Sequence, residues 1–366
     1  MIRSTTAGLI GAAMMLATAT SADAKECTVE SPCVLKLATV APKGTPWAKL
    51  LNLYKRKVQK ATGKRVKVKV YLGGTLGDEN ATVRMAARGR IQGVGASTGA
   101  LATLVTELNA VEAPFVFRSA KEADYVLDKY LDKPLRKLFR KRGLVVGFFN
   151  ENGFRHFGVR GSTPILTPKD LRNKKMRSQE AYVHLQMWKA LKASAQAIPT
   201  TEVLTALKTK AVDGFDQALL FAIAASWYKS IDHLTLSGHV YQPAIITFNR
   251  DWFDSMPPEI QKSLLEEGRK ITRKGRRAVR SILPQLIDII AGACVQVHEL
   301  SPAQRKKFEN ATRKVRGKIA SRYGSSGKKV MGLIEKGVKE YRAKYGKATP
   351  SFRKGRGALP AKCKKK

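Results

Sequence analysis

The stretch VLKLATVAPKGTPWAKLLNLYKRKVQKATGKRVKVKVYL, residues 34–72, contains the pattern that decides the fold. Its first residues alternate apolar and other side chains up to Pro42, which predicts a β-strand. Thr45 can cap a helix whose first residue is Pro46, and apolar residues then follow at helical spacing up to Gly63. The last eight residues alternate again. A strand, a helix and a strand in succession form a βαβ unit, which implies a parallel sheet with a right-handed crossover.

Further units of this kind follow along the chain. A glycine-rich turn leads into a helix and then into a third predicted strand at residues 91–97. Two more strands are expected in residues 144–161, with a polar joint near Asn152 and Gly153, and another in KKMRS. One long helix is expected from Pro258 to about Gly292. Two α/β units with a helical return predict a hinged, two-lobed α/β binding protein with its ligand in the cleft, at the carboxyl ends of parallel strands.

The expected organisation has four parts. They are a leader (1–24), a first lobe (34–153 with 243–280), a second lobe (154–242 with 281–345) and a basic tail (346–366).

The leader has the pattern of a secretory signal peptide. Arg3 precedes a short apolar run, and small residues end at Ala22-Asp23-Ala24, which predicts cleavage after Ala24 and an exported protein. The apolar run is shorter than the roughly 20 residues that span a bilayer. No direct insertion into a membrane is therefore expected.

Four cysteines, Cys27, Cys33, Cys294 and Cys363, follow the leader. An even number in an exported chain favours two disulfides, for which three pairings exist. Cys27 with Cys33 and Cys294 with Cys363 is the preferred pairing. A zinc site is the alternative, but the sequence has no CxxC motif and only His298 lies near.

The formal net charge is +40, from 68 Lys and Arg against 28 Asp and Glu. This excess attracts anions of every kind and does not by itself select one. Export and the even spread of the basic residues argue against a nucleic-acid partner. The sequence also has no GxSxG, HExxH, Walker or GxGxxG motif, and its five histidines lack metal-ligand spacing. Neither an enzyme nor a cofactor is expected.

Several phrases, in order and spacing, resemble the DctP branch of the solute-binding proteins of tripartite ATP-independent periplasmic (TRAP) transporters. They are LATVAPKGTPW, GGTLGDE, NGFRHF, TPKDLRNKKMRS and TEVLTALKTKAVDGFDQAL. The resemblance runs from about Leu35 to at least Gly268. It implies a periplasmic binding protein fold of two lobes bridged by a long helix. It also implies a receptor that binds a small organic acid and delivers it to the membrane permease subunits.

Arg177 is the principal candidate for binding the ligand. Arg172, Lys174 and Lys175 lie in or next to a turn, whereas Arg177 follows the apolar Met176 at the carboxyl end of a predicted strand. A guanidinium matches the geometry of a carboxylate. In the family that the sequence resembles, an arginine at this position pairs with the ligand carboxylate.

The resemblance implies four further ligand contacts. Arg155 matches a second arginine of the family and Glu79 an acidic position. Ser97 is the residue after GVGA, and Gln217 stands where the family has an asparagine. Trp47 and Phe215 are expected either to line the cleft or to pack in the core. Two other functions stay open, namely a receptor for a larger apolar or aromatic anion and an exported basic protein that binds acidic polymers or lipid through its surface.

Overall fold

The computed structural model describes residues 26–346, 348, 350 and 352 of the chain. The predicted leader and the greater part of the predicted basic tail lie outside the described residues.

Within the described residues, nine strands form one mixed sheet. They are β1 (Cys33–Ala38), β2 (Val66–Tyr71), β3 (Gly93–Ser97), β4 (Leu144–Val159), β5 (Lys175–Ser178), β6 (Ser194–Ala197), β7 (Gly214–Ala218), β8 (His233–Asn249) and β9 (Gln296–Glu299). Their order is β2-β1-β3-β8-β4-β7-β5-β6, with β9 also paired to β8. The β1–β2, β1–β3, β5–β6, β5–β7 and β8–β9 pairs are parallel, and the β3–β8, β4–β8 and β4–β7 pairs are antiparallel.

The described residues also form thirteen α-helices. They are α1 (Pro46–Ala61), α2 (Glu79–Ala87), α3 (Thr98–Leu101), α4 (Ala120–Val126), α5 (Asp132–Lys141), α6 (Tyr182–Ala190), α7 (Val203–Lys208), α8 (Leu219–Ala224), α9 (Arg250–Asp254), α10 (Pro258–Ser281), α11 (Leu283–Gly292), α12 (Pro302–Arg322) and α13 (Gly324–Tyr345). The shorter helical turns are Thr106–Ala110, Leu127–Leu131, Pro168–Leu171 and Trp227–Ser230.

The opening βαβ unit forms as the sequence predicts. The side chain of Thr45 accepts a hydrogen bond from the backbone N–H of Ala48, which caps α1. Helix α1 buries Leu51 and Tyr54 against the sheet, and β2 follows parallel to β1. The unit therefore places the loop after β1 at the same edge of the sheet as the loop after β3, where a cleft is expected.

The two longest strands, β4 and β8, run through both halves of the molecule. Here the first lobe is the part that contains β1, β2 and β3, and the second lobe is the part that contains β5, β6, β7 and β9. The two strands predicted in residues 144–161 are one strand, β4, whose pairing with β8 shifts register between Glu151 and Gly153. Gly153 has a φ of +100°, a conformation that favours glycine. The polar joint predicted there is therefore an irregularity within a continuous strand, at the boundary between the lobes.

The helical return differs from the prediction in two respects. The helix expected from 258 to 292 is divided into α10 and α11, because the proline at position 284 cannot donate the hydrogen bond that would continue α10. Helix α13 departs from the predicted assignment of 281–345 to the second lobe. Its residues Val330 and Ile334 share a buried cluster with Val83 and Leu101 of the first lobe.

The first predicted disulfide is confirmed, since Cys27 and Cys33 are bonded, with their Cα atoms 5.2 Å apart. The predicted partner of Cys294 is Cys363, which lies outside the described residues, so this second pairing stays a prediction. In the part of the chain that the structure describes, none of the helices combines the length and apolar character needed to cross a membrane.

Candidate functional site

A cavity, called here the cleft cavity, lies where the two lobes meet. It measures about 560 Å³ including its mouth, which is within the range of small-molecule pockets. Its polar lining includes Glu79, Ser97, Gln179, Thr200, Gln217 and Gln242. A second cavity, called here the rim cavity, adjoins it and shares Glu79, Gln179 and Thr200 with it.

Arg177 lies at the end of β5, where it lines the rim cavity and is only 1% exposed. Its Nε donates to the carbonyl of Ile198 (3.0 Å) and its Nη2 to Oγ1 of Thr200 (3.3 Å). Its Nη1 is buried without a hydrogen-bond partner, and the guanidinium forms no salt bridge with a described residue. Burial, with the nearby cation of Arg155, lowers the pKa of Arg177. The buried charge would therefore be stabilised by an anion that enters the cavity.

The other cations around Arg177 have different surroundings. Arg172 and Lys175 are exposed, and Lys174 is partly exposed. Water solvates these three charges, so they do not need a ligand as a partner. Within the basic stretch that contains them, Arg177 alone is enclosed by the protein.

Glu79 and Ser97 meet on the first-lobe side of the cleft cavity. Oε1 of Glu79 accepts from the backbone N–H of Ser97 (2.9 Å), and its Oε2 accepts from the Ser97 hydroxyl (3.0 Å). Burial raises the pKa of Glu79, although the bonds from Ser97 and the cation of Arg177 oppose this shift. Glu79 therefore presents a partly desolvated carboxyl group that can accept a hydrogen bond from a ligand hydroxyl.

Gln217 and Trp47 also line the cleft cavity. Oε1 of Gln217 accepts from Arg155 (3.2 Å) and from the N–H of Ala218 (2.9 Å), whereas no described residue accepts from its Nε2. The indole N–H of Trp47 donates to the carbonyl of Glu151 (3.1 Å), which ties this wall to the irregular point of β4. The two residues thus offer the cavity an amide donor and an aromatic wall.

Phe215 belongs to the core and not to the cavity wall. It is 0% exposed and packs edge-on against Trp227, with the ring centroids 5.3 Å apart. It lines neither the cleft cavity nor the rim cavity. Of the two expectations for Phe215, the structure therefore supports core packing.

Arg155 lies behind the cavity wall, which departs from the expectation of a ligand contact. Its Nε and Nη2 donate to the side chain and the carbonyl of Asp216, both at 2.6 Å. Its Nη1 donates to the side-chain oxygens of Gln179 (3.0 Å), Gln217 (3.2 Å) and Gln242 (3.0 Å). All three nitrogens are thus bonded within the protein, and Arg155 lines neither the cleft cavity nor the rim cavity.

Asp216 is the buried counter-ion of Arg155. Burial alone would raise the pKa of Asp216, but the charge of Arg155 and the hydrogen bond from His239 (3.2 Å) hold it well below its usual value. Glu112 forms a second buried centre, which bonds Nε2 of His184 (2.6 Å) and Nε2 of Gln242 (2.9 Å). These buried acids surround the site without lining either cavity.

Gln179, Gln242 and the acids behind them were not singled out by the sequence. Gln179 lies two residues after Arg177, and Gln242 directly precedes Pro243, near the crossover between the lobes. These positions are the signals in the sequence that could have drawn attention to the two glutamines. Their importance depends on contacts among four separate segments, which a single sequence does not reveal. The described residues contain no group of three His, Cys, Asp or Glu side chains placed to hold a metal ion.

Comparison with known proteins identifies a family. A model of the bacterial extracellular solute-binding proteins, family 7 (DctP), matches residues 37–322. A solute-binding protein of Verminephrobacter eiseniae is 31% identical over 229 residues, which cover 63% of this chain and 68% of that protein.

A second relative and a solved structure agree with this match. The 2,3-diketo-L-gulonate-binding periplasmic protein YiaO of Escherichia coli K12 is 27% identical, over 69% of this chain and 76% of that protein. The crystal structure of the sugar acid binding protein DctPAm from Advenella mimigardefordensis, in complex with galactonate, has a TM-score of 0.79 at 26% identity. That match covers 84% of this chain and 99% of the other.

The match to the family model extends over most of the chain, and the fold agrees with that of the solved relative. The chain therefore belongs to family 7 of the bacterial extracellular solute-binding proteins, the DctP family of periplasmic solute receptors of TRAP transporters.

Proposed function

We propose that this receptor closes around a small, hydroxylated carboxylic acid and that Arg177 binds its carboxylate. The buried guanidinium of Arg177, with an unbonded Nη1 and no acidic partner among the described residues, is the observation that carries this proposal. A bidentate pair with a carboxylate would supply the missing acceptor and neutralise a charge that burial destabilises.

The rest of the lining supports a polar ligand. Glu79 can accept from a hydroxyl group, and Nε2 of Gln217 can donate to one. The relatives named above bind 2,3-diketo-L-gulonate and galactonate, which both carry a carboxylate and several hydroxyl groups. This pattern favours a small hydroxylated acid over a larger apolar anion, and family membership favours it over surface binding of acidic polymers or lipid.

In the proposed cycle, the loaded receptor delivers the acid to the membrane permease subunits and carries out no reaction of its own. We also propose that the leader is removed after Ala24, so that the mature protein begins at Lys25. The intact mass of the exported protein tests this processing step. A mass that includes residues 1–24 would contradict it.

The ligand class is tested by native mass spectrometry of the purified protein, followed by extraction and identification of any small acid that copurifies. Calorimetry with galactonate and with galactitol, which has hydroxyl groups but no carboxylate, then isolates the contribution of the charge. We expect binding of the acid and no measurable binding of the neutral polyol. The proposal would be contradicted if galactonate and galactitol bound equally well. It would also be contradicted if no acid copurified and no acid of a test panel bound.

A further inference from the structure

Gln179 connects the two lobes through both ends of its amide group. On the second-lobe side, its Oε1 accepts from Nη1 of Arg155 (3.0 Å) and from Nε2 of Gln242 (2.8 Å). On the first-lobe side, its Nε2 donates to the Ser97 hydroxyl oxygen (3.0 Å) and approaches Oε2 of Glu79 (3.5 Å). The side chain is 7% exposed, so these bonds form away from bulk water.

The chemistry of the neighbours fixes the orientation of this amide. Arg155 has only donors, so the atom of Gln179 that faces it must be the acceptor oxygen. The carboxylate of Glu112 accepts from Nε2 of Gln242, which leaves Oε1 of Gln242 to face Arg155. With Oε1 of Gln179 held in this way, its Nε2 is directed towards the first lobe.

The backbone of the first lobe also fits closely around this side chain. A Cβ atom at Gly99, in α3, would lie 2.8 Å from Oε1 of Gln179 and 3.2 Å from its Cδ. Glycine at this position therefore allows the first lobe to approach the amide.

Two other interlobe bonds are buried but lie outside both cavities, one between the His184 ring and Glu112 (2.6 Å) and one from the backbone N–H of Val183 to Asn109 (2.9 Å). A further interlobe bond, from Asn80 to Glu180 (2.6 Å), lies at the rim, where the Glu180 side chain is exposed. Water competes for that bond, so we expect it to contribute less to closure.

We propose that Gln179 is the interlobe bridge within the cleft, where it helps to hold the lobes closed and orients the carboxyl group of Glu79 towards the ligand. This inference rests on the proposed function, because it concerns closure of the same site. When the lobes separate, Oε1 of Gln179 keeps its partners Arg155 on β4 and Gln242 on β8, whereas Nε2 exchanges Ser97 and Glu79 for water. Gln179 is thus a positioning residue whose donor is used in the closed state.

Replacing the donor by a carboxylate gives a specific signature. In Gln179→Glu, one oxygen can still accept from Arg155 and Gln242, but the other faces Glu79. The hydroxyl of Ser97 cannot donate to both carboxylates at once. Arg155 and Arg177 attract the new charge, whereas Glu79 and the more distant Glu112 repel it. Two carboxylates in contact share one proton, so closure of this variant should require proton uptake.

The matched variants are Gln179→Glu, Gln179→Met and Gln196→Glu. The side chain of Gln196, on the neighbouring strand β6, bonds only Ser194 among the described residues and serves as a control for the added charge. Galactonate affinity is measured by calorimetry at pH 8 and pH 5, and the radius of gyration of the ligand-free and loaded proteins is measured by small-angle X-ray scattering. Proteins with matched melting profiles are compared.

For Gln179→Glu, we expect affinity about tenfold or more below wild type at pH 8, and a smaller deficit at pH 5. Its ligand-free radius of gyration should exceed that of the wild type at pH 8 and approach it at pH 5. Gln179→Met should lose affinity by a factor that does not depend on pH, and Gln196→Glu should follow the wild type.

Equal radii and equal affinities for Gln179→Glu and the wild type at both pH values would overturn the bridge. A loss of affinity that does not depend on pH would also overturn it, because it would indicate a merely structural defect. If the wild type binds no carboxylate, the proposed function fails. The bridge is then tested by the radii of gyration of the ligand-free proteins alone. Equal radii for Gln179→Glu and the wild type would contradict it.

Discussion

Two buried arginines lie within one site, and their surroundings differ in a way that has a measurable consequence. Arg155 is paired with Asp216, and both side chains are 0% exposed. In Arg155→Met, the carboxylate of Asp216 is left buried without its counter-ion, so we expect a loss of about 3–5 kcal/mol in the free energy of unfolding. In Arg177→Met no acidic partner is left behind, so we expect a change within about 1 kcal/mol, or a gain.

Urea unfolding of the ligand-free proteins measures both effects. Ligand must be removed first, because it would stabilise the wild type by mass action. If Arg177→Met destabilised the protein as much as Arg155→Met, Arg177 would have an internal partner and would not be free to bind an anion.

At the residue scale, the sequence could predict the position of Arg177 at a strand end but not the contacts of the residues around it. Arg177 follows an apolar residue at a strand end, and a resemblance to a known family indicates its role. Gln179 has no such pattern, since a single glutamine is compatible with almost any environment. Its role arises from contacts with Ser97, Arg155 and Gln242, which lie far apart in the chain.

At the scale of single elements, α10 packs against α1 of the first lobe and against the long strand β4. Gly268 and Gly275, two helical turns apart, allow this close approach. A Cβ at Gly268 would lie 2.5 Å from Cδ1 of Phe148, and one at Gly275 would lie 2.7 Å from Cδ2 of Leu50. Close packing of the helix, and not only its amphipathic pattern, therefore sets its position.

We expect Gly275→Ala to lower the free energy of unfolding by about 1–3 kcal/mol, because the added methyl group overpacks the contact. Gly317, within α12, serves as the matched control, because a Cβ atom there would meet no described atom of another element within 4 Å. Gly317→Ala should raise the stability by up to about 1 kcal/mol, because alanine favours the helix. Equal effects of the two substitutions in denaturant unfolding would contradict the close packing of α10.

Elements with strong local signals were predictable, and elements defined by distant partners were not. The cap at Thr45 and the alternation in β2 depend on neighbouring residues and form as predicted. The continuity of β4 depends on β8, which pairs with it across the irregularity at Glu151. Likewise, the packing of α13 on the first lobe depends on a buried cluster formed by residues far away in the sequence.

On the scale of the whole molecule, buried histidines should make the fold sensitive to acid. Burial lowers the pKa of His156 to about 3 and that of His239 to about 4. In the unfolded chain both titrate near pH 6.5. As the pH falls from about 6.5 towards 4, the unfolded chain gains protons that the folded chain does not bind, so stability falls.

We expect each of these histidines to contribute a loss of about 2 kcal/mol between pH 7 and pH 5. The raised pKa of Glu79 acts in the opposite direction and reduces the slope. Urea unfolding at pH 7, 6 and 5 measures the dependence, and His239→Asn should show a shallower slope than the wild type. A free energy of unfolding that stays constant or rises as the pH falls from 7 to 5 would contradict the assignment of neutral, buried imidazoles.

The net charge of +40 should also affect the whole molecule. Repulsion among like charges opposes the compact state, and salt screens it over a Debye length of about 10 Å at 0.1 M. The melting temperature should therefore rise between about 20 mM and 300 mM sodium chloride. Sucrose at equal osmolality is the control for effects other than screening. A melting temperature that falls with salt would show that attractive charge pairs outweigh the repulsion.

The central claim, that Arg177 binds the ligand carboxylate inside the cleft, is tested most directly by calorimetry on charge-matched variants. The acid recovered from the purified protein, or galactonate, is titrated into the wild type, Arg177→Ala, Arg177→Lys and Lys175→Ala at low and at moderate salt. Loss of one partner from a buried charge pair costs about 2–5 kcal/mol, which corresponds to about 30-fold or more in affinity for Arg177→Ala.

Arg177→Lys should recover only part of this loss, because a point charge does not reproduce the bidentate geometry. Lys175→Ala removes the same formal charge from an exposed position, so it should change affinity by less than about fivefold, and mainly at low salt. A similar, salt-sensitive loss in Arg177→Ala and Lys175→Ala would contradict the claim, because Arg177 would then act only as part of the general positive field.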